Sequence, residues 1–287
     1  MKTLNMVLSA GAVAVCLSLT SSARADYAST VLSDNPLSFW QFNDASSANG
    51  ATAFDSAAGN LSPGIYQGGI SFVSGPGTGD NGIQFSGASG GAGSFVDIPD
   101  ASSRLQNLTD FSVEFWEQSS ATATELYSRF LSYADGGTGN YWVGMETAGS
   151  NPGQPFVGVP GSTWYAWPPN ILTDGSWNYV VLTYSFDGAN TTASLYINAI
   201  AEGSTTVAGA FTPSANDLIL GAEGNQYYVY NGLVGNMADV AIYDQALSQS
   251  QISTHFDSVV VVPEPASVAL LGLGLTAGLV FLRRRNA

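Results

Sequence analysis

Trp177-Asn178-Tyr179-Val180-Val181-Leu182-Thr183-Tyr184-Ser185-Phe186 is a run of β-branched and aromatic residues that ends on Asp187-Gly188. Side chains of this kind suit a pleated, half-buried surface. Asp-Gly is a hairpin turn, and residues 193–198 after it supply the partner strand. Upstream, Phe111-Ser112-Val113-Glu114-Phe115-Trp116 alternates with a period of two. That places Phe111, Val113 and Phe115 on one face and Ser112, Glu114 and Trp116 on the other. Further strands are predicted at 38–42, 64–66, 70–73, 95–98, 129–133, 141–145, 218–220 and 237–243, with 129–133 and 141–145 joined through Asp135-Gly136-Gly137. Residues 43–82 are otherwise polar and turn-rich. A single helix is predicted: Ser248 and Gln251 have the spacing of a capping box, Leu247 and Ile252 that of a hydrophobic staple, and the helix ends near Phe256. Many short strands with one late helix and no β-α-β crossover predict an all-β, antiparallel two-sheet sandwich.

The chain has 287 residues, with 7 Lys and Arg against 22 Asp and Glu. Five of the basic residues sit at the two ends, so residues 26–262 keep only Arg104 and Arg129 against 21 acids, a net charge of −19. A domain with no basic patch has nothing to neutralise a phosphate backbone, so nucleic acid is not expected as a partner. The same field repels anionic lipid and anionic polysaccharide unless divalent cations bridge them. Charged residues make up 10% of the chain while aromatics reach 11%. That balance fits a packed extracellular β domain and not a disordered segment.

Both ends read as transport devices. Lys2, an apolar stretch from Met6 to Leu19, and Ala23-Arg24-Ala25 form a signal peptide, with cleavage by signal peptidase after Ala25 and a mature chain starting at Asp26. Cys16 is the chain's one cysteine. It reads as a small hydrophobe of the apolar stretch, because Val15 is too bulky for the position before an acylated cysteine. At the other end stand Val262-Pro263-Glu264-Pro265, an uncharged run 266–282, and Arg283-Arg284-Arg285. The 17-residue run would make a helix about 25 Å long, close to the hydrocarbon thickness of a bilayer. The arginines would hold their end in the cytoplasm and leave everything upstream outside. This tail resembles the PEP-CTERM sorting signal of Gram-negative bacteria. The resemblance implies transient anchoring in the inner membrane, cleavage near 263–265 by an exosortase-type enzyme, and delivery to the cell surface or extracellular matrix. The expected division is therefore 1–25 signal peptide, 26–257 sandwich and 258–287 sorting segment.

The ordered set Pro36-Leu-Ser-Phe-Trp-Gln-Phe42, Phe111-Ser-Val-Glu-Phe-Trp116, Trp177–Tyr184, Ser194-Leu-Tyr-Ile-Asn198 and Leu233–Ser248 resembles the laminin-G-like, concanavalin A-like jelly-roll domains of bacterial secreted proteins. That resemblance spans roughly residues 30–257. It implies a sandwich with a concave face, in a family that includes carbohydrate-binding modules, adhesive domains and some glycosidases.

Chemistry in the sequence is sparse. Retaining glycosidases need two carboxylates about 5 Å apart in one cleft. Glu114 and Glu117 lie three apart on one strand and are expected to face opposite ways. No other acidic pair has the spacing of the family's catalytic strand, so no catalytic residue is expected. His255 is the one histidine and is expected to be a solvated helix residue. The resemblance also implies a structural calcium ion, with Asp55 and Asn60 in the turn after the first strand as ligands, weighed against an ordinary Asx-turn. Relatives carry an Asp before the final strand; here Ala238 stands there, with Asp239 one position on and so expected on the other face. Two aromatic clusters, Trp164-Tyr165-Ala166-Trp167 and Tyr227-Tyr228-Val229-Tyr230, are candidates for stacking on sugar rings, weighed against covering the sandwich edge. The expected function is an exported, non-catalytic structural or adhesive module. A lectin-like module for exopolysaccharide is the alternative, and a glycosidase the least favoured.

Overall fold

The hairpin read from Trp177 onward forms as Asn178–Phe186 paired with Asn190–Ile197. Asp187 builds the turn by accepting hydrogen bonds from the backbone N–H groups of Ala189 (2.9 Å) and Asn190 (2.7 Å). In this computed structural model the described residues are 26–259, apart from 78–79, 90–91, 100–103, 106, 120–126, 134–141, 148–149, 163, 167–171, 173–174, 212–215 and 226–227. Residues 1–25, expected to be a signal peptide, residues 260–287 of the sorting segment, Trp167 and Tyr227 lie outside them.

Two large antiparallel sheets stack as expected. The first runs Ile200–Ala208, Asn190–Ile197, Asn178–Phe186, Phe111–Ser119, Val234–Tyr243, Asn81–Ser86, Ser71–Ser74, with Ser38–Trp40 also paired to Val234–Tyr243. The second runs Trp164–Ala166, Gln154–Gly158, Trp142–Glu146, Tyr127–Ser132, Leu218–Leu220, Phe95–Ile98, Gly64–Gln67, Thr52–Ala53. Alternation decides which side chains meet between them. Phe111, Val113 and Phe115 join Val180, Leu182, Leu195, Val240 and Ile242 from the first sheet, and pack on Phe130, Leu131, Val143, Met145, Val157 and Leu220 from the second.

The outer face of the first sheet is not open to water. Trp116, Tyr179, Val181, Ala238, Ala241 and Tyr243 form a second apolar cluster with Tyr27, Val31, Leu247 and Ile252. Of these last residues Tyr27, Val31 and Ile252 come from two helices, and Leu247 stands just before the second. The predicted one is α2 (Gln249–Val259). Its capping box is reciprocal: Gln251 N–H donates to Ser248 Oγ at 3.3 Å, and Ser248 N–H donates to Gln251 Oε1 at 3.0 Å. The other, α1 (Tyr27–Ser33), was not expected; Asp26 caps it by accepting from Ser29 N–H at 2.8 Å.

The last strand of the first sheet carries one residue too many. Ala238 pairs with Trp116 and Ala241 with Glu114, so two residues, Asp239 and Val240, oppose the single Phe115, and Asp239 takes φ 53°. This bulge breaks the period-two reading of Asp239. It sits where the neighbour of the strand changes from Asn81–Ser86 to Ser38–Trp40.

Candidate functional site

Glu114 is fully buried beneath the two helices, where the strand alternation aims it. An unpartnered carboxylate there would be costly. Four donors from four elements meet it instead. Tyr179 Oη donates at 2.5 Å, Tyr243 Oη at 2.8 Å and Tyr27 Oη at 3.3 Å, and His255 Nδ1 lies 2.8 Å away. His255 Nε2 reaches Asp34 Oδ2 at 3.0 Å, at the C-terminal cap of α1. His255 is therefore fully buried, which corrects its reading as a solvated helix residue. Burial pulls its pKa down, but the hydrogen bonds and charges of Glu114 and then Asp34 outweigh this and leave it above the ordinary histidine value. Burial first, and then the charge of Glu114, pushes the Tyr27, Tyr179 and Tyr243 phenols up, so they stay donors. The cluster joins α1, α2 and three strands through one carboxylate. Glu114 is fully buried and its oxygens are taken by these donors, so the geometry fastens the two helices to the sheet.

Glu117, on the opposite face as expected, is also fully buried. It accepts from Ser119 Oγ and from Asn178 Nδ2, the latter at 2.9 Å. In the second sheet, Arg129 pairs with Glu223 at 3.0 Å and lies 4.5 Å above the Phe156 ring. Gly144 stands between Arg129 and Phe156 in the ladder, and a Cβ there would come within 2.9 Å of that ring. Burial lowers the Arg129 pKa, against the opposing pull of Glu223.

The structure brings Asp55 and Asn60 together, and it uses their oxygens. Asp55 Oδ1 accepts from Phe39 N–H (2.8 Å) and Ala57 N–H (3.0 Å), Oδ2 from Ser62 N–H (3.1 Å), and Asn60 Oδ1 from Asp55 N–H (2.9 Å). These bonds are those of an Asx-turn that ties a loop to the first strand. The donor set does not fit a cation that needs six to eight oxygens. Asp239 has a different environment. It is buried, and its Oδ2 has no hydrogen-bond partner. Burial, then the charges of Asp80 and Glu114, push its pKa well up. Among the described residues no three His, Cys, Asp or Glu side chains converge as a ready-made metal cluster.

The two aromatic clusters lie on different strands. Trp164 and Tyr165 lie on Trp164–Ala166, the edge strand of the second sheet, opposite Gly158 and Val157. Tyr228 and Tyr230 lie on Tyr228–Tyr230, in a two-stranded hairpin with Glu223–Asn225. Tyr230 is half-buried, and its hydroxyl donates to Glu223 at 3.3 Å, which ties it to the Arg129 pair. The Glu114 cluster was missed because its members are far apart in sequence, and only the Glu114 strand position gave a signal.

Residues 89–253 match the model of the concanavalin A-like lectin/glucanase superfamily. The chain belongs to that superfamily. Its C-terminal residues 261–285 match the PEP-CTERM protein-sorting motif. Similar solved structures include domain 4 of an extracellular arabinanase from Geobacillus stearothermophilus, in complex with arabinotriose. That pair is 21% identical, covers 78% of this chain and 98% of the other, and has a TM-score of 0.53. The receptor-binding domain of botulinum neurotoxin type G is 12% identical over 78% of this chain and 51% of the other, with a TM-score of 0.55. The binding domain of botulinum neurotoxin DC, in complex with rat synaptotagmin II, gives 13%, 80%, 53% and 0.57. This concanavalin A-like chain spans about half the length of the neurotoxin domains it matches. At such identities the likeness is one of fold. No curated protein sequence matches significantly. Among the described residues no helix is long and apolar enough to cross a membrane. The sorting motif and the domain fit an exported β-sandwich.

Proposed function

We propose that this protein is a non-catalytic structural or adhesive sandwich of a Gram-negative cell surface or extracellular matrix. A signal peptidase releases it after Ala25. The run 266–282 then holds it in the inner membrane until an exosortase-type enzyme cuts near Pro263-Glu264-Pro265. The observation that carries this reading is the sorting motif at 261–285, immediately behind a domain whose two fully buried glutamates are spent on internal hydrogen bonds. The two prolines keep the cut segment extended and out of the helix that follows. Replacing Glu264 and Pro265 by alanine is expected to leave full-length protein in the inner-membrane fraction. Normal maturation of that variant would refute the reading.

A lectin-like role is the second reading, supported by the placement of Trp164 and Tyr165 on an edge strand. Its partner would be a neutral exopolysaccharide, since the domain carries a charge of −19. A glycan array comparing the protein with its Trp164→Ala and Trp167→Ala variants tests it; retention unchanged by both substitutions would remove those rings from consideration. A structural calcium ion remains a proposal: Asp55 and Asn60 spend oxygens on backbone N–H groups, while the buried Asp239 Oδ2 has no hydrogen-bond partner and is the oxygen left to test. Millimolar calcium is expected to raise the melting temperature of the protein and not of its Asp239→Asn variant. No shift in either would exclude the ion.

A further inference from the structure

The residues between the sandwich and the cut segment are few. α2 ends at Val259, which is buried, and only residues 260–262 separate it from Pro263. Four Cα steps reach at most about 14 Å. Released from Leu247 onward, the chain has sixteen steps and reaches about 55 Å. Whether α2 is docked therefore sets how much free chain a processing enzyme meets.

We infer that α2 is a detachable strap: His255, held between Asp34 and Glu114, docks it on the sandwich, and its release lengthens the tether to the cut segment and speeds cleavage. This rests on the sorting function proposed above. Ile252, His255 and Val259 are the buried side chains of α2, and Phe256 stacks on Trp116 with ring centroids 5.8 Å apart. Only His255 among them bonds to the sheet and to α1 at once. The carboxylates are on the body and the cation is on the strap, so losing the proton weakens this clamp from one side.

The groups around His255 fix the pH sense. Asp34 and Glu114 face its two nitrogens, and the Tyr27 and Tyr243 rings flank it at 6.5 and 6.2 Å. Tyr179 shares Glu114, and Asp239 feels the charges of Asp80 and Glu114. On α2 itself Asp257 is exposed. The histidine pKa is raised in the folded state, so its contribution is complete below the unfolded value near 6.5 and is lost as pH climbs through the higher folded value. Asp239, whose pKa is also raised, loses its contribution as pH rises from about 4 upward, in the same direction. A His255→Gln variant separates the two.

Hydrogen exchange of residues 249–259 in the full chain, corrected for intrinsic rates, is compared at pH 6 and pH 9. Protection is expected to be lost between these two values in the natural protein, in the direction set by the raised histidine pKa. In His255→Gln it should be low at both values, with the strands still protected. In Asp34→Asn, which keeps the Glu114 bonds, it should be intermediate. Processing in membranes should run faster in both variants, in the order of their lost protection. Protection of α2 that is independent of pH and of His255, or a loosened α2 with unchanged cleavage, overturns the inference. Failure of the sorting reading shows separately, as normal cleavage of the Glu264 and Pro265 variant, and leaves the exchange result standing.

Discussion

Removing the Glu114 carboxylate should be among the more damaging single changes available to this domain. In Glu114→Ala three close donors, Tyr179 Oη, Tyr243 Oη and His255 Nδ1, lose their acceptor inside a site without water access; Tyr27, at 3.3 Å, loses a weaker one. Each buried donor left without an acceptor costs about 1–3 kcal/mol. The space vacated by the side chain lets water enter and recover part of that, so the net loss is expected near 4 kcal/mol, against a typical total of about 5–15 kcal/mol. For a domain of this size that corresponds to a fall in melting temperature of about 8–16 °C. Glu114→Gln keeps the volume and one carbonyl acceptor but points an NH₂ group at a donor, and should lose about 2 kcal/mol. Urea unfolding and calorimetry of both variants measure this directly. A double-mutant cycle with His255→Gln should return a coupling of about 1–2 kcal/mol, since the two groups share a bond. A folded Glu114→Ala protein that loses less than about 1 kcal/mol would refute the assignment of the cluster as the fastening of the helices.

Two further substitutions probe the frame around it. Asp55→Ala strips the acceptor from three backbone N–H groups at Phe39, Ala57 and Ser62, and should cost about 3 kcal/mol by urea unfolding whether or not calcium is added; a loss that calcium reverses would return the ion to that loop. Gly144→Ala would place a Cβ 2.2 Å from the Ser128 carbonyl oxygen and 2.9 Å from the Phe156 ring, and should cost about 2–3 kcal/mol and loosen the Arg129–Glu223 pair, read as faster exchange in the Tyr127–Ser132 strand.

How much of this was written in the local sequence follows from the range of each interaction. Strand faces depend on neighbours two apart, and Phe111, Val113 and Phe115 went where alternation sent them. The α2 start depends on residues three apart, and Ser248 with Gln251 marked it. α1 is seven residues with Thr and Val inside it, and offered little beyond an Asp at its cap. Parity failed at Asp239 because the bulge there is fixed by two different neighbours meeting one strand, and neither is local to it. The failure at His255 is the more instructive. Strand alternation gives the face of Glu114, but burial of that face depends on what covers it. The cover comes from both ends of the domain: His255 is 141 positions from Glu114 and 221 from Asp34. A histidine on a short polar helix looks solvated until the carboxylates that need it are known. Because the cover is built from the two chain ends, and one of those ends leads directly into the sorting segment, the same bonds that close the domain also determine how freely its tail can leave it.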